Sequence, residues 1–137
     1  MLSCYSDTMK FNKKAFTLVE IMIVVAIIAL LAAIAIPNLV RAKLHSNDAV
    51  AKATLKTIAT ALENYYTTMN QYPPAMTSLI GSAPPYLVID YFAGQHNGFT
   101  YTTGALTSYT YQILAEPISA NLGTTTFTIS TGGVISW

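Results

Sequence analysis

Cysteine is almost missing. Cys4 is the single cysteine in 137 residues, so no internal disulfide can form, and any part exposed to an oxidising compartment must hold together by packing. Charge is scarce too. Asp, Glu, Lys and Arg make up 9% of the chain, where soluble domains average about a quarter. Net charge is +1, and beyond residue 15 Arg41, Lys43, Lys52 and Lys56 stand against Glu20, Asp48, Glu63, Asp90 and Glu116. Those totals exclude a strongly basic surface, and no nucleic-acid partner is predicted. Clusters of reactive side chains are also missing. His45 and His96 have no Cys, Asp or Glu at ligand spacing, which argues against a metal site. Asp90 and Glu116 are single acids, with no second carboxylate to divide acid and base roles. No Ser or Thr sits in a nucleophile motif, and Gly132-Gly133 suits a hairpin turn rather than a phosphate loop. The expectation is a chain that is not an enzyme and carries no cofactor.

What the chain has in excess is apolar sequence. Hydrophobic residues make up 53%, and much of the surplus lies in one block, "FTLVEIMIVVAIIALLAAIAI", from Phe16 to Ile36. As a helix this block is about 30 Å long, the thickness of a bilayer core. It is longer than the apolar core of a cleaved secretory signal, and Pro37-Asn38 follows it in place of a small-residue site. It lacks the polar face of a soluble amphipathic helix. A membrane-spanning helix is predicted. Lys10, Lys13 and Lys14 lie closer to the membrane edge than Arg41 and Lys43, which favours a cytoplasmic N-terminus.

Glu20 is the exception inside the block. A carboxylate in hydrocarbon costs a few kcal/mol and marks a partner or a function. One reading is positional: Glu20 lies about one turn inside the apolar edge, where the helix N-terminus favours an anion. The other requires a cation at the same depth. Cleavage between Ala15 and Phe16 creates one, an α-amino group four residues from Glu20 and one turn away on the same face. In a low dielectric the pair attracts strongly. The amine of one chain can equally meet Glu20 of a neighbour, which sets the stagger between packed helices.

The stretch "KKAFTLVEIMIVVAIIALLAAIAIPNLVRAK" resembles the processing and assembly signal of type IV pilins and of the related pseudopilins of type II secretion. The matching elements are Lys13 and Lys14 in a basic leader, Ala15 at the cut, Phe16 as first mature residue, Glu20 four positions on, and Pro37 closing the apolar stretch. Ala15 stands where the family usually has Gly. The leader is longer than the short-leader class shows; starting at Met9 gives "MKFNKKA", and Met9 is taken as the true start. The resemblance implies that a prepilin peptidase in the membrane cuts after Ala15 and methylates the amine of Phe16. It implies that subunits wait in the inner membrane among lipid, N-terminus cytoplasmic. An inner-membrane assembly platform then builds them, with identical or related pilin subunits, into a filament in the periplasm or on the cell surface. Glu20 pairs with the neighbour's amine in that step.

Past Pro37 the composition changes. Leu55, Ile58, Leu62, Tyr65 or Tyr66, and Met69 recur at three- and four-residue steps, an apolar stripe on a helix. One long helix is predicted from Phe16 to Met69, bent near Pro37 because proline removes a hydrogen bond and clashes with the preceding turn. It stops before Pro73-Pro74. Residues 71 to 85 read as an irregular connector. Five short segments rich in Thr, Tyr, Ile and Val follow: 86–92, 98–103, 108–117, 124–131 and 133–137. Their period-two alternation, with turn residues between, predicts an antiparallel meander of three to five strands with the tyrosines mostly in strands. Its apolar face is covered by the Leu55–Met69 stripe. The fold class is therefore α+β and pilin-like, a long helix on a small antiparallel sheet. The predicted divisions are a leader 1–15, a transmembrane and filament-core helix 16–40, its amphipathic continuation 41–70, and a connector and sheet head 71–137.

Two absences bear on the kind of filament. Many type IV pilins close a C-terminal loop with two cysteines, which this chain cannot do. The major pseudopilin of type II secretion carries acidic calcium ligands in its C-terminal loops, whereas residues 117 to 137 contain no Asp or Glu,. Both favour a type IV pilus subunit. A type II secretion pseudopilin and a minor or competence-type pilin are the alternatives, and a signal-anchored periplasmic binding domain that never polymerises is the alternative of another class.

Overall fold

The structure, a computed structural model, describes residues 16–137. The leader, with Cys4, Met9, the three lysines and Ala15, lies outside the described residues. The chain divides into two units, one ending at Pro37 and one running Asn38–Trp137.

The first element, α1, is a helix at Leu18–Met69 that includes Pro37. It begins two residues later than expected, because Thr17 serves as its cap. Up to Val40 its large apolar side chains are exposed, for example Leu18 at 75% and Leu39 at 73%. No residue of the 18-residue apolar window is buried within the chain, so the helix is long and apolar enough to cross a membrane,. Beyond Pro37 the burial pattern changes. Ala51, Thr54, Leu55, Ile58, Ala59, Ala61 and Leu62 are buried, the steps that bring one helix face against another layer. Met69, expected on that face, is 52% exposed. It is the last helical residue, and Asn70 beyond it takes φ 55° with its N–H donating to the Tyr66 carbonyl at 2.7 Å. This is the left-handed stop that Asn can adopt, and it turns the chain away before Met69 reaches the core.

The connector holds one short helix, α2, at Thr77–Ile80. The backbone N–H groups of Tyr86 and Leu87 both donate to the Leu79 carbonyl. Residues 86–92, expected as the first strand, are not a strand. The Asp90 carboxylate accepts the N–H groups of Phe92 at 3.0 Å and Ala93 at 3.2 Å, and this side-chain turn takes the place of ladder bonds. The first strand, β1, lies instead at Gln95–His96, in a stretch expected as a turn.

The remaining strands are β2 at Phe99–Leu106, β3 at Tyr111–Pro117, β4 at Phe127–Ser130 and β5 at Val134–Ser136. They form one five-stranded sheet in the order β1-β2-β3-β4-β5, every neighbouring pair antiparallel. β2 runs past its expected end with a register shift between Thr103 and Ala105, and the turn falls at Thr107–Thr110, where Thr107 bonds Thr110. Tyr109 is therefore 72% exposed and outside the strand to which it was assigned. Gly132 and Gly133 both have positive φ, 84° and 74°, the requirement of a tight hairpin turn.

Phe99, Tyr101, Tyr111, Ile113, Ala115, Phe127 and Ile129 point into the core, alternating as a one-sided sheet demands. The register sets Ala115 between Tyr101 and Phe127, a small side chain between two large ones. Full burial of each large apolar residue removes surface worth about 1.5–3 kcal/mol. Among the described residues, only Tyr101 and Tyr111 of the tyrosines are in strands. Tyr65, Tyr66, Tyr72, Tyr86 and Tyr91 pack from α1 and the connector, several as edge-on pairs with centroids near 5 Å,.

Candidate assembly site

Thr17 precedes the first turn of α1. Its hydroxyl oxygen accepts the backbone N–H of Glu20 at 3.2 Å. The Glu20 carboxylate accepts the backbone N–H of Thr17 at 2.8 Å and its hydroxyl at 2.9 Å. This reciprocal arrangement is a capping box. It satisfies helix-end donors that have no partner inside the helix, and it places a negative charge at the positive end of the helix dipole. Glu20 is therefore not bare in the apolar block. Its carboxylate holds two charge-assisted hydrogen bonds from its own chain. The sequence reading named Glu20 and missed Thr17. The signal was available: Ser or Thr, two residues, then Glu, ahead of an apolar run.

Phe16 is 80% exposed, immediately before the box. Pro37 lies within α1, at the last residue of the first unit. Ala15 is outside the described residues. Thus Phe16 and Glu20 stand at one end of the apolar stretch and Pro37 at the other.

In the second unit, carboxylates anchor loops to the helix. Glu63 accepts the hydroxyls of Tyr72 and Tyr111, each at 3.1 Å, and the N–H of Gly132 at 3.2 Å. Burial, then the bond to Glu63, pushes the Tyr72 hydroxyl up to about 12, because both disfavour the phenolate. Burial and the Glu63 charge push Tyr111 up as well, and burial raises Tyr101. Asp48 is 6% exposed; it accepts the Thr124 N–H at 3.0 Å and its hydroxyl at 2.6 Å. Beside it the Asn47 amide donates to the Leu122 carbonyl at 2.8 Å. None of this is a catalytic geometry. The carboxylates are separate and occupied with structural donors, and no group of three His, Cys, Asp or Glu able to hold a metal occurs among the described residues. His96 bonds the Asp90 carbonyl through Nε2 at 3.1 Å and stacks edge-on with Tyr91.

Comparison with known proteins bears on the first segment most directly. Residues 10–36 match the family model described as the prokaryotic N-terminal methylation motif. The chain is 36% identical over 97 residues to the type IV wide pilus major component PilA4 of Thermus thermophilus, covering 68% of this chain and 74% of that protein. It is 43% identical over 77 residues to the type IV major pilin protein PilA of Myxococcus xanthus, covering 55% of this chain and 34% of that one. It is also 37% identical over 68 residues to the type II secretion system core protein G of Pseudomonas aeruginosa, covering 50% of this chain and 48% of that protein. Except for the Thermus protein, the match spans half or less of each of these relatives.

Proposed function

Because this chain belongs to the type IV pilin family, a family of structural subunits rather than enzymes, we propose that it is the building block of a type IV pilus-like filament, assembled through its N-terminal helix. The observation that carries the proposal is the ordered set Phe16, Thr17–Glu20 and exposed apolar stretch, lying where the methylation motif matches, with Pro37 directly after it. In this reading a prepilin peptidase cuts after Ala15 and methylates Phe16. The apolar part of α1 anchors the subunit in the inner membrane with its N-terminus cytoplasmic. An assembly platform then transfers it to a filament in which the same apolar surface packs against other copies. Glu20 exchanges a hydrogen bond from Thr17 for the cationic amine of a neighbour, and Pro37 permits a bend where the apolar part ends.

Mass spectrometry of the membrane and filament fractions tests this. The expected chain begins at N-methylated Phe16. A chain that keeps its leader in every fraction would sink the proposal.

The second reading is a pseudopilin, supported by the similarity to core protein G of two type II secretion systems. The two readings separate on location. Shearing intact cells should release the subunit in long surface filaments if it is a pilus component. A pseudopilus subunit stays with the cell envelope.

A further inference from the structure

The asparagines of the described residues are Asn38, Asn47, Asn64, Asn70, Asn97 and Asn121. Asn97 combines features that none of the others has together. It is followed by glycine, Gly98. With Gly98 it makes the two-residue turn between β1 and β2, across which His96 pairs with Phe99. Both turn residues are left-handed, Asn97 at φ 52° and Gly98 at φ 84°, as a tight hairpin turn requires. The Asn97 side chain is exposed; among the described residues Asn47 is the only asparagine whose amide is hydrogen-bonded, to the Leu122 carbonyl. Gly98 accepts the Ile118 N–H through its carbonyl at 3.0 Å, and its own N–H has no partner among the described residues.

Such a pair reacts with itself. The Gly98 backbone nitrogen gives its proton to solvent base and attacks the carboxamide carbon of Asn97. The new N–C bond closes a cyclic imide, the bond from that carbon to Nδ2 breaks, and ammonia leaves. Water then opens the imide at either carbonyl. Opening at the side-chain carbonyl gives aspartate on a normal main chain. Opening at the main-chain carbonyl gives isoaspartate, with the chain routed through Cβ. Nothing is oxidised or reduced, and water is the only co-reactant. A side chain on the following residue obstructs ring closure, and Gly98 has none. The other five asparagines are followed by Leu39, Asp48, Tyr65, Gln71 and Leu122. Asn70 is the sharpest contrast, since it too is exposed and left-handed, at φ 55°, but has Gln71 behind it. Closure also needs the Asn97–Gly98 peptide to turn. β1 is two residues long and ends the sheet, and short edges of that kind open at little cost.

We infer that Asn97 is a self-modifying position, which converts to aspartate and isoaspartate as the folded subunit ages. The fold holds the reactive pair in place. A Cβ on Gly98 would lie 2.9 Å from Leu122 Cβ, on a backbone that side chains rarely adopt. The two products act differently. Aspartate also accepts a left-handed turn position, so it keeps the hairpin and adds a negative charge. All the lysines and arginines of Asn38–Trp137 are on α1, so none in the connector or sheet stands against that charge. Isoaspartate lengthens the main chain inside a two-residue turn, which breaks the pairing of His96 with Phe99 and releases β1. The inference does not depend on the filament reading.

The test holds the full chain, purified in detergent, at mildly alkaline pH and maps the segment between Phe92 and Phe99. Acid and isoaspartate forms should accumulate at Asn97 about tenfold faster than acid forms at Asn70, and an isoaspartate methyltransferase should label that segment. Asn97→Gly keeps a left-handed turn without a carboxamide and should abolish the label. Hydrogen exchange of the aged chain should rise at residues 95–100 in step with its isoaspartate content, while β3 and β4 keep their protection. Conversion at Asn97 no faster than at Asn70 would overturn the inference. So would conversion seen only in urea, which belongs to the unfolded chain, or a label that survives in Asn97→Gly. Unchanged exchange at residues 95–100 in isoaspartate-rich chains would refute the release of β1.

Discussion

Glu63 is a single side chain on which three parts of the head converge: the connector through Tyr72, β3 through Tyr111 and the β4–β5 turn through Gly132. Bonds to a charged acceptor contribute about 1.5–3 kcal/mol each, and leaving a buried donor unpaired adds to the loss. Counting only the bonds from buried Tyr72 and Tyr111, Glu63→Ala should lower head stability by about 3–6 kcal/mol. Glu63→Gln, which keeps an acceptor, should cost less; thermal melts of the purified chain in detergent measure both. The same cluster gives a pH dependence. Tyr72 is raised to about 12 and Tyr111 is raised too, so the folded head holds protons that the unfolded chain releases near pH 10. Stability is then fully present below about pH 10 and falls as pH rises toward the folded values. The part of the ultraviolet tyrosine-ionisation signal that Tyr72→Phe and Tyr111→Phe remove should coincide with alkaline unfolding rather than precede it. Gly123 makes a third case. A Cβ there would overlap the Phe99 ring and lie 2.8 Å from Pro117 Cβ, with Phe99 0% exposed and unable to move aside. Gly123→Ala should destabilise the head by about 2–3 kcal/mol, seen as a lower melting temperature.

Among the elements, the loop between β3 and β4 has little apolar content of its own and is held to α1 by Asn47 and Asp48. Asp48→Ala should raise amide hydrogen exchange across residues 118–126 while β2 and β3 keep their protection, because the lost bonds hold only that loop. These two α1 residues also show what the chain did not disclose beforehand. The long helix was legible because its period is sustained over many turns, and β2 to β5 were legible because Phe99-Tyr101, Ile113-Ala115 and Phe127-Ile129 alternate. The misplaced strand at 86–92 had the right composition. It lost to one side chain, since the Asp90 turn takes the amides a ladder needs. The roles of Asp48 and Glu63 carried no sequence signal, because their partners lie far along the chain and no local pattern reveals them. At the helix start the reverse holds. Thr17 and Glu20 are three residues apart, so the Thr-x-x-Glu box is wholly local and legible in the sequence.

For the whole molecule, the division at Pro37 separates a surface for lipid or other helices from a self-contained core. Glu20→Ala should stop filament assembly yet leave the melting temperature of the head unchanged, because distant and independent sites add. Normal filament yield from that variant would refute the assembly role of Glu20. One further consequence comes from the confinement of Lys and Arg to α1. Past Lys56 the chain offers no site for trypsin, so the whole stretch from Thr57 to Trp137 leaves digestion as one large peptide even when unfolded. The cut at Arg41 releases the stretch from Phe16 to Pro37 within one long and almost wholly apolar fragment. Routine tryptic sequencing will thus see the protein mainly through the short peptide 44–52, and chymotrypsin, with phenylalanines and tyrosines throughout the head, is the protease that makes the rest countable.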